Sequence, residues 1–191
     1  MSKISSNGLR LSFLSIILLL LISLTGCSDS KRDVYINHLG QEVRLADYDG
    51  KVVLMNFVFT SCPHGGCDML TSQFLRVQTL LKNRVGKDLF LVSISIDPKN
   101  DSTEILNEFA KKHRVDSKGW HFLSSDKGTI NRIMKKHDVQ WRTDPDGSRH
   151  HKAVIVLFNK LGKKVIVYND KDYNILELVK DIKKLLGPDK V

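Results

Sequence analysis

The chain has 191 residues, a formal net charge of +9 and a sequence pI of about 9.5. This length is sufficient for one domain with a hydrophobic core. The lysines are spread over most of the predicted surface and no nucleic-acid-binding motif accompanies them, which excludes the nucleic-acid-binding classes. The charge therefore indicates a solvated basic surface, with attraction to anionic lipid or to an acidic partner as the alternative.

The first 26 residues have the order of a secretory signal. Lys3 and Arg10 form a short positive region, and residues 11–24 are apolar apart from serines. This run is short for a membrane span and typical of a signal peptide. It ends in Leu24-Thr25-Gly26-Cys27, which resembles a bacterial lipobox and so implies cleavage before Cys27 and lipidation of its thiol. An uncleaved amino-terminal anchor is the alternative.

Three segments are predicted: a lipoprotein signal peptide over 1–26, a tether over 27–33 and one domain over 34–191. With either kind of anchor, the domain lies on the periplasmic or other extracytoplasmic face of a bacterial membrane. The protein therefore works in a compartment that permits disulfides.

The elements that follow have an α/β order. A β-hairpin is predicted over residues 34–45, and the apolar run that begins at Val52 is typical of a strand buried on both faces. A helix over 68–85 and a second buried strand over 88–96 come next. The remaining elements are a helix capped at Asp101, a short strand over 120–123, a helix starting at Asp126, a turn over 144–147, a hairpin formed by 152–158 and 163–168, and a helix over 173–186.

Two buried strands joined by one helix form a right-handed βαβ unit. The closing hairpin and helix complete a mixed sheet with helices on both faces. The predicted fold class is therefore α/β and thioredoxin-like, with an N-terminal β-hairpin. Cys62 and Cys67 follow the first buried strand, at the carboxyl edge of the sheet, where α/β proteins usually keep their chemistry.

Cys62 and Cys67 are the only cysteines of the predicted domain. Four residues separate them, so a regular helix would place their thiols more than one turn apart. We predict a loop through Gly65 and Gly66, with Cys67 near the helix start, where the amino terminus favours a thiolate. The pair indicates a reversible disulfide, a metal site, or both in alternation. Buried structural cysteines are the alternative, which the glycines and His64 disfavour.

Among seven histidines, His150 and His151 open the predicted strand over 152–158. Because side chains alternate along a strand, His151 shares a face with Ala153 and is predicted to point inward, whereas His150 shares a face with Lys152. Two thiolates and an imidazole suit Cu(I) well, and Cu(II) or Zn(II) tolerably. His64 is a possible further ligand, and a closed structural zinc site would require it.

This arrangement resembles the Sco/SenC family, whose members are thioredoxin-fold copper chaperones that help to assemble cytochrome c oxidase. The resemblance extends over about residues 37–186. The segments that carry it are Leu39-Gly40, Gly50-Lys51, Asn56-Phe57-Val58-Phe59-Thr60-Ser61-Cys62-Pro63, Ser95-Ile96-Asp97-Pro98 with Asp101, residues 115–123 with Trp120, and His151 followed by Leu157 and Gly162.

The resemblance implies that Cys62, Cys67 and His151 bind copper as Cu(I) or Cu(II), and that the two cysteines are a redox pair. It implies a cytochrome c oxidase subunit, or another copper or thiol protein, as the partner. The chain departs from the family pattern in having four residues rather than three between the cysteines, His150 in place of an Asp, and Asp68 in place of a Pro. The extra loop residue bears on the copper geometry more than on the fold.

Three functions compete at this point. The leading hypothesis is a membrane-tethered copper chaperone that delivers copper to, or reduces the thiols of, a cytochrome c oxidase copper site. The second is an extracytoplasmic thiol–disulfide oxidoreductase that uses Cys62 and Cys67 without metal. The third is a thiol peroxidase, which is disfavoured because peroxiredoxins have a Thr three residues before a Cys-Pro, whereas Thr60 lies two residues before Cys62.

Overall fold

The computed structural model describes residues 33–62, 65–145, 147–169 and 174–188. The predicted signal peptide over 1–26, Cys27 and the tether up to residue 32 lie outside the described residues, and so do Pro63 and His64. Over the part of the chain that is described, no helix is long and apolar enough to span a membrane.

The described residues form nine strands and four α-helices. The strands are β1 (Tyr35–Asn37), β2 (Glu42–Val43), β3 (Val52–Val58), β4 (Leu89–Ser95), β5 (Trp120–Ser124), β6 (Trp141–Thr143), β7 (Arg149–His151), β8 (Val154–Phe158) and β9 (Lys164–Asn169). The helices are α1 (Gly66–Leu80), α2 (Thr103–Lys112), α3 (Lys127–Lys136) and α4 (Ile175–Leu186), and a 3-10 helix spans Leu45–Tyr48.

Seven of the strands form one mixed sheet in the order β2-β1-β5-β4-β3-β8-β9, while β6 and β7 form a separate two-stranded sheet. The β3–β4 and β4–β5 pairs are parallel, and the other pairs of the large sheet are antiparallel. All seven residues of β3 are buried, as its uninterrupted apolar run predicts. The predicted parallel strand–helix–strand unit is therefore β3, α1 and β4.

Helices cover both faces of the large sheet. The register across β3, β4 and β5 places Leu54 and Trp120 on one face, where the Phe74 ring of α1 lies 5.8 Å from the Trp120 ring. Phe57 points to the opposite face because side chains alternate along β3. The ring of His137, which follows α3, lies 5.8 Å from the Phe57 ring. The predicted mixed sheet with helices on both faces is confirmed.

The end of α1 and the cap of α2 differ from the prediction. α1 ends at Leu80 rather than at residue 85, because Val85 forms a bridge with Leu89 and Gly86 donates its N–H to the Leu89 carbonyl. α2 is capped by Ser102, whose hydroxyl accepts from the backbone N–H of Ile105. The predicted cap residue, Asp101, is instead engaged beneath the cysteine loop.

Two histidines in the described part of the domain are buried, with His38 fully buried and His137 6% exposed. Burial lowers the pKa of each to about 4. Unfolded histidines take up protons near pH 6.5, so these two groups should reduce the free energy of unfolding as the pH falls from 7 towards 4.

We expect the free energy of unfolding of His137→Leu to fall by about 2 kcal/mol less than that of the wild type between pH 7 and pH 5, since the variant lacks one of these groups. Urea unfolding of both proteins at the two pH values measures the difference. An equal loss in both proteins would contradict the assignment.

Candidate metal and thiol site

The cysteines lie on the loop that joins β3 to α1. β3 ends at Val58, Cys62 is partly exposed, and α1 begins at Gly66. Gly65 caps the helix with a φ of 69°, a left-handed conformation that favours glycine. Gly66 is already helical, so only one of the two glycines supplies the positive φ. Cys67 therefore lies in the first turn of α1, and no disulfide joins it to Cys62.

The two thiols have different electrostatic environments. The thiol of Cys67 donates a hydrogen bond to the Cys62 sulfur, which also accepts from the backbone N–H groups of Cys67 and Gly66, and together these bonds lower the pKa of Cys62 to about 7. Cys67 is 2% exposed, and its hydrogen bond to Cys62 and its burial raise its pKa. Cys62 is therefore the more readily ionised and more accessible sulfur.

The imidazole of His151 faces the buried thiol. Its Nε2 lies 3.9 Å from the Cys67 Sγ, and its Nδ1 lies 2.9 Å from the carbonyl oxygen of Lys152. A carbonyl only accepts, so Nδ1 carries the proton in the neutral ring and the lone pair of Nε2 is directed towards the sulfur. A backbone carbonyl on the far ring nitrogen is the usual way of orienting a metal-binding histidine.

The side chain of His151 points towards the thiols for a different reason from the one that the sequence predicted. The strand expected over 152–158 begins only at Val154, as β8, and His151 instead ends the separate strand β7. Alternation along one strand therefore does not relate His151 to Ala153. Pairing of β7 with β6 places His151 opposite Trp141, and the rings of Phe59 and Trp141 lie 5.7 and 6.2 Å from the imidazole.

His150 lies in a different environment from its neighbour. Its Nε2 is 2.8 Å from the carboxylate of Asp144, which precedes the turn between β6 and β7. Both side chains are substantially exposed, at 36% and 47%. The pair links the two strands of the hairpin at its surface.

Two of the described donor atoms, the Cys67 sulfur and the His151 Nε2, are close enough to bind one soft metal ion. A metal–sulfur bond of about 2.3 Å and a metal–nitrogen bond of about 2.0 Å allow at most about 4.3 Å between the two donors. The 3.9 Å separation of Cys67 and His151 lies within this limit. Within the described ranges, no group of three His, Cys, Asp or Glu side chains is already arranged to hold an ion. Binding by Cys62, Cys67 and His151 therefore requires a local approach of the three side chains.

A buried carboxylate supports the loop from below. Asp101 is 1% exposed and accepts from the backbone N–H of Thr60 at 3.2 Å, from the Thr60 hydroxyl at 2.6 Å and from the Ser95 hydroxyl at 2.5 Å. Burial raises the pKa of Asp101. The sequence predicted Asp101 as a helix cap, and its position three residues after the Ser95-Ile96-Asp97-Pro98 segment was the available signal for another role. This carboxylate ties β4 to the residues that lead into Cys62.

The SCO1/SenC family model matches residues 34–187 of the chain. A relative named SCO1 protein homolog, from Bacillus subtilis (strain 168), is 29% identical over 144 residues, which are 74% of this chain and 71% of the relative. Three solved structures are also similar to this chain. A SCO1/SenC family lipoprotein from Bacillus anthracis str. Ames is 25% identical with a TM-score of 0.71, covering 81% of this chain and 92% of that chain.

BsSco, described as a member of the Sco family of cytochrome c oxidase assembly proteins with a disulfide switch, is 26% identical with a TM-score of 0.67. That match covers 80% of this chain and 90% of that chain. ScoI from Arabidopsis thaliana, solved with copper bound, is 22% identical with a TM-score of 0.67, covering 81% of this chain and 95% of that chain. The last similarity shows a shared fold.

Proposed function

Because the chain belongs to the SCO1/SenC family of copper-binding cytochrome c oxidase assembly proteins, we propose that it is a membrane-tethered copper chaperone. It binds copper through Cys62, Cys67 and His151, and delivers the ion to, or reduces the thiols of, a cytochrome c oxidase copper site. A cytochrome c oxidase subunit, or another copper or thiol protein, is the partner.

The observation that carries this proposal is the approach of His151 to the thiol pair. Its Nε2 lone pair faces Cys67 at 3.9 Å, and the Lys152 carbonyl holds the other ring nitrogen. Two soft sulfurs hold Cu(I) by themselves, and the imidazole adds the harder donor that Cu(II) favours. The copper-bound relative supports the choice of metal. His64 stays a possible additional ligand.

The extra residue of the cysteine loop is compatible with this role. The left-handed Gly65 lets the chain turn into α1 at Gly66, so Cys67 still lies in the first turn of the helix. The Cys67 thiol still reaches the Cys62 sulfur through a hydrogen bond. We infer that the longer loop changes how tightly copper is held rather than which sulfurs hold it.

A metal-independent thiol–disulfide oxidoreductase is the second candidate. The contrast between an accessible Cys62 with a lowered pKa and a buried Cys67 with a raised pKa favours it. Such a pair suits attack by Cys62 on a substrate disulfide, which forms a mixed disulfide, followed by attack of Cys67 on the Cys62 sulfur. The substrate leaves as a dithiol and Cys62–Cys67 becomes the disulfide.

Copper titration of the reduced and of the air-oxidised protein tests the chaperone role. We expect one copper ion to bind per reduced chain, and binding to collapse after oxidation, because a Cys62–Cys67 disulfide consumes both thiolates. Absorption spectra and thiol counts follow the two states. Unchanged copper binding by the oxidised form would contradict the site, and redox cycling without any copper binding would support the second candidate.

Lipidation of Cys27 is a separate expectation that follows from the Leu24-Thr25-Gly26-Cys27 order. The mature chain should start at Cys27, carry lipid on that thiol and fractionate with the membrane, and Cys27→Ala should release it or leave the precursor uncleaved. Mass spectrometry of the membrane fraction reports both features. A wild-type protein recovered from the cytoplasm without lipid would rule the tether out.

A further inference from the structure

A basic cleft lies at the end of the domain opposite to the cysteines. It has a volume of about 880 Å³ and is bounded by the last residues of α1, the turn that follows, and the last residues of α4. Leu80, the last residue of α1, lies thirteen positions after the first-turn Cys67, which is about 20 Å along the helix. The lysines that line the cleft are all exposed and are Lys82, Lys180, Lys183 and Lys184.

Compensation of the helix dipole does not account for these lysines. A cation near a helix carboxyl end stabilises the last carbonyl groups. In α4 this role is already filled, because Arg84 donates to the carbonyls of Leu186 and Gly187 at 3.2 Å each. Lys160 also donates to the Leu186 carbonyl, at 3.1 Å. The lysines of the cleft are additional to these contacts.

The lysines also oppose one another. Lys180 lies three and four positions before Lys183 and Lys184 on α4, a spacing at which like charges repel and destabilise a helix. Of the described residues that line the cleft, Asp181 alone has a carboxylate, and it accepts a hydrogen bond from the Tyr168 hydroxyl at 2.7 Å. The cleft therefore has an excess of positive charge that the folded domain does not require.

Two exposed leucines accompany this charge. Leu80, which lines the cleft, is 53% exposed, and Leu161, in the turn between β8 and β9, is 80% exposed. The contact of Lys160 with the Leu186 carbonyl places that turn beside the cleft. Exposed Lys163 and Lys164 follow the turn. Long basic side chains around exposed leucines are typical of a protein surface that lies in a membrane interface.

We propose that the basic cleft and the Leu161 turn bind the headgroup surface of an anionic phospholipid membrane. The lysines contact lipid phosphates, and Leu80 and Leu161 contact the acyl boundary. Docking at this end holds Cys62, Cys67 and His151 at the end of the domain that faces away from the bilayer. The inference goes beyond the proposed copper chemistry and does not depend on it.

Lysine reactivity in the full chain tests the proposal. The protein is reconstituted into vesicles of phosphatidylcholine alone, or of phosphatidylcholine with phosphatidylglycerol, and acetylated, and each lysine is quantified by mass spectrometry. We expect Lys82, Lys183 and Lys184 to react several-fold more slowly on the anionic vesicles, and this protection to disappear at high salt. Lys99, which follows β4 at the cysteine end, should react equally on both. Because the amino-terminal anchor is present in every sample, it does not contribute to the difference.

A second experiment distinguishes a membrane surface from a soluble anion as the ligand of the cleft. Inorganic phosphate is added to the protein on neutral vesicles. Protection there as strong as on anionic vesicles would overturn the membrane proposal in favour of a small-anion site. Equal reactivity on neutral and anionic vesicles would also overturn it, and would leave an acidic protein as the partner.

Two charge-matched variants complete the test. Lys183→Glu with Lys184→Glu should abolish the several-fold protection of Lys82, because each lysine near an anionic membrane contributes about fivefold to binding. Lys99→Glu with Lys111→Glu, at exposed residues after β4 and on α2, should leave the protection unchanged. Equal protection in the two variants would overturn the proposal. Copper titration should be the same in both, so failure here is distinguishable from failure of the copper site.

Discussion

His151→Ala is expected to abolish Cu(II) binding while the two cysteines retain Cu(I). The imidazole supplies the harder donor, and its removal leaves two sulfurs, a set that Cu(I) accepts and Cu(II) does not. We expect the Cu(II) affinity to fall by at least about 100-fold, since loss of an orienting partner alone costs 10–100-fold. Titration of the reduced protein, followed by absorption for Cu(II) and by competition with a chelator for Cu(I), measures both effects.

His150→Ala is the matched control for this prediction. His150 is adjacent in sequence but is bound to the Asp144 carboxylate at the surface of the hairpin. Its replacement should leave the Cu(II) affinity within about threefold of the wild type, because it removes one exposed ion pair. His64→Ala should likewise retain most of the binding. If the His64 change alone abolished binding, His64 in the longer cysteine loop would be the imidazole ligand in place of His151.

Asp101→Ala is expected to lower the free energy of unfolding by about 3 kcal/mol, because it removes the buried acceptor of the Thr60 N–H group and of two hydroxyls. It should also weaken copper binding, since Thr60 lies two residues before Cys62. Asp101→Asn keeps an oxygen that accepts from the N–H group and gains an amide that donates to a hydroxyl. This variant should therefore lose only about 1 kcal/mol of the free energy of unfolding. Urea unfolding and copper titration of the reduced protein measure the two effects.

Asp126→Ala provides a control away from the thiols. Asp126 caps α3 by accepting from the backbone N–H and the hydroxyl of Thr129. Its loss should cost about 1 kcal/mol and leave copper binding unchanged. An Asp101→Ala protein with the stability and copper affinity of Asp126→Ala would show that Asp101 has no special role at the loop.

Much of the domain follows from local sequence. The apolar run of β3 requires burial on both faces, Asp126 and the periodic residues after it specify a capped helix, and the segment ending in Gly147 specifies a turn. The position of Cys62 and Cys67 after a buried strand also predicts where the chemistry lies. These features depend on residues that are close in sequence, so their physical causes can be read directly along the chain.

The roles of individual side chains at the site depend on contacts between distant residues. Asp101 lies 41 residues from Thr60. Whether such an aspartate caps a helix or is buried and accepts hydrogen bonds from Thr60 and Ser95 can be decided only once β4 is known to pair with β3. His151 lies 84 residues from Cys67, and pairing of β7 with β6 directs its ring. The unequal acidity of the two thiols likewise arises from their hydrogen bonds and unequal burial. The sequence by itself determined the buried strand β3, the helices and the position of the thiol pair, because periodicity and capping act over a few residues. Only the tertiary structure decided which way each site side chain points, which group it contacts and which of its atoms carries a proton, because these depend on packing between segments far apart in the chain.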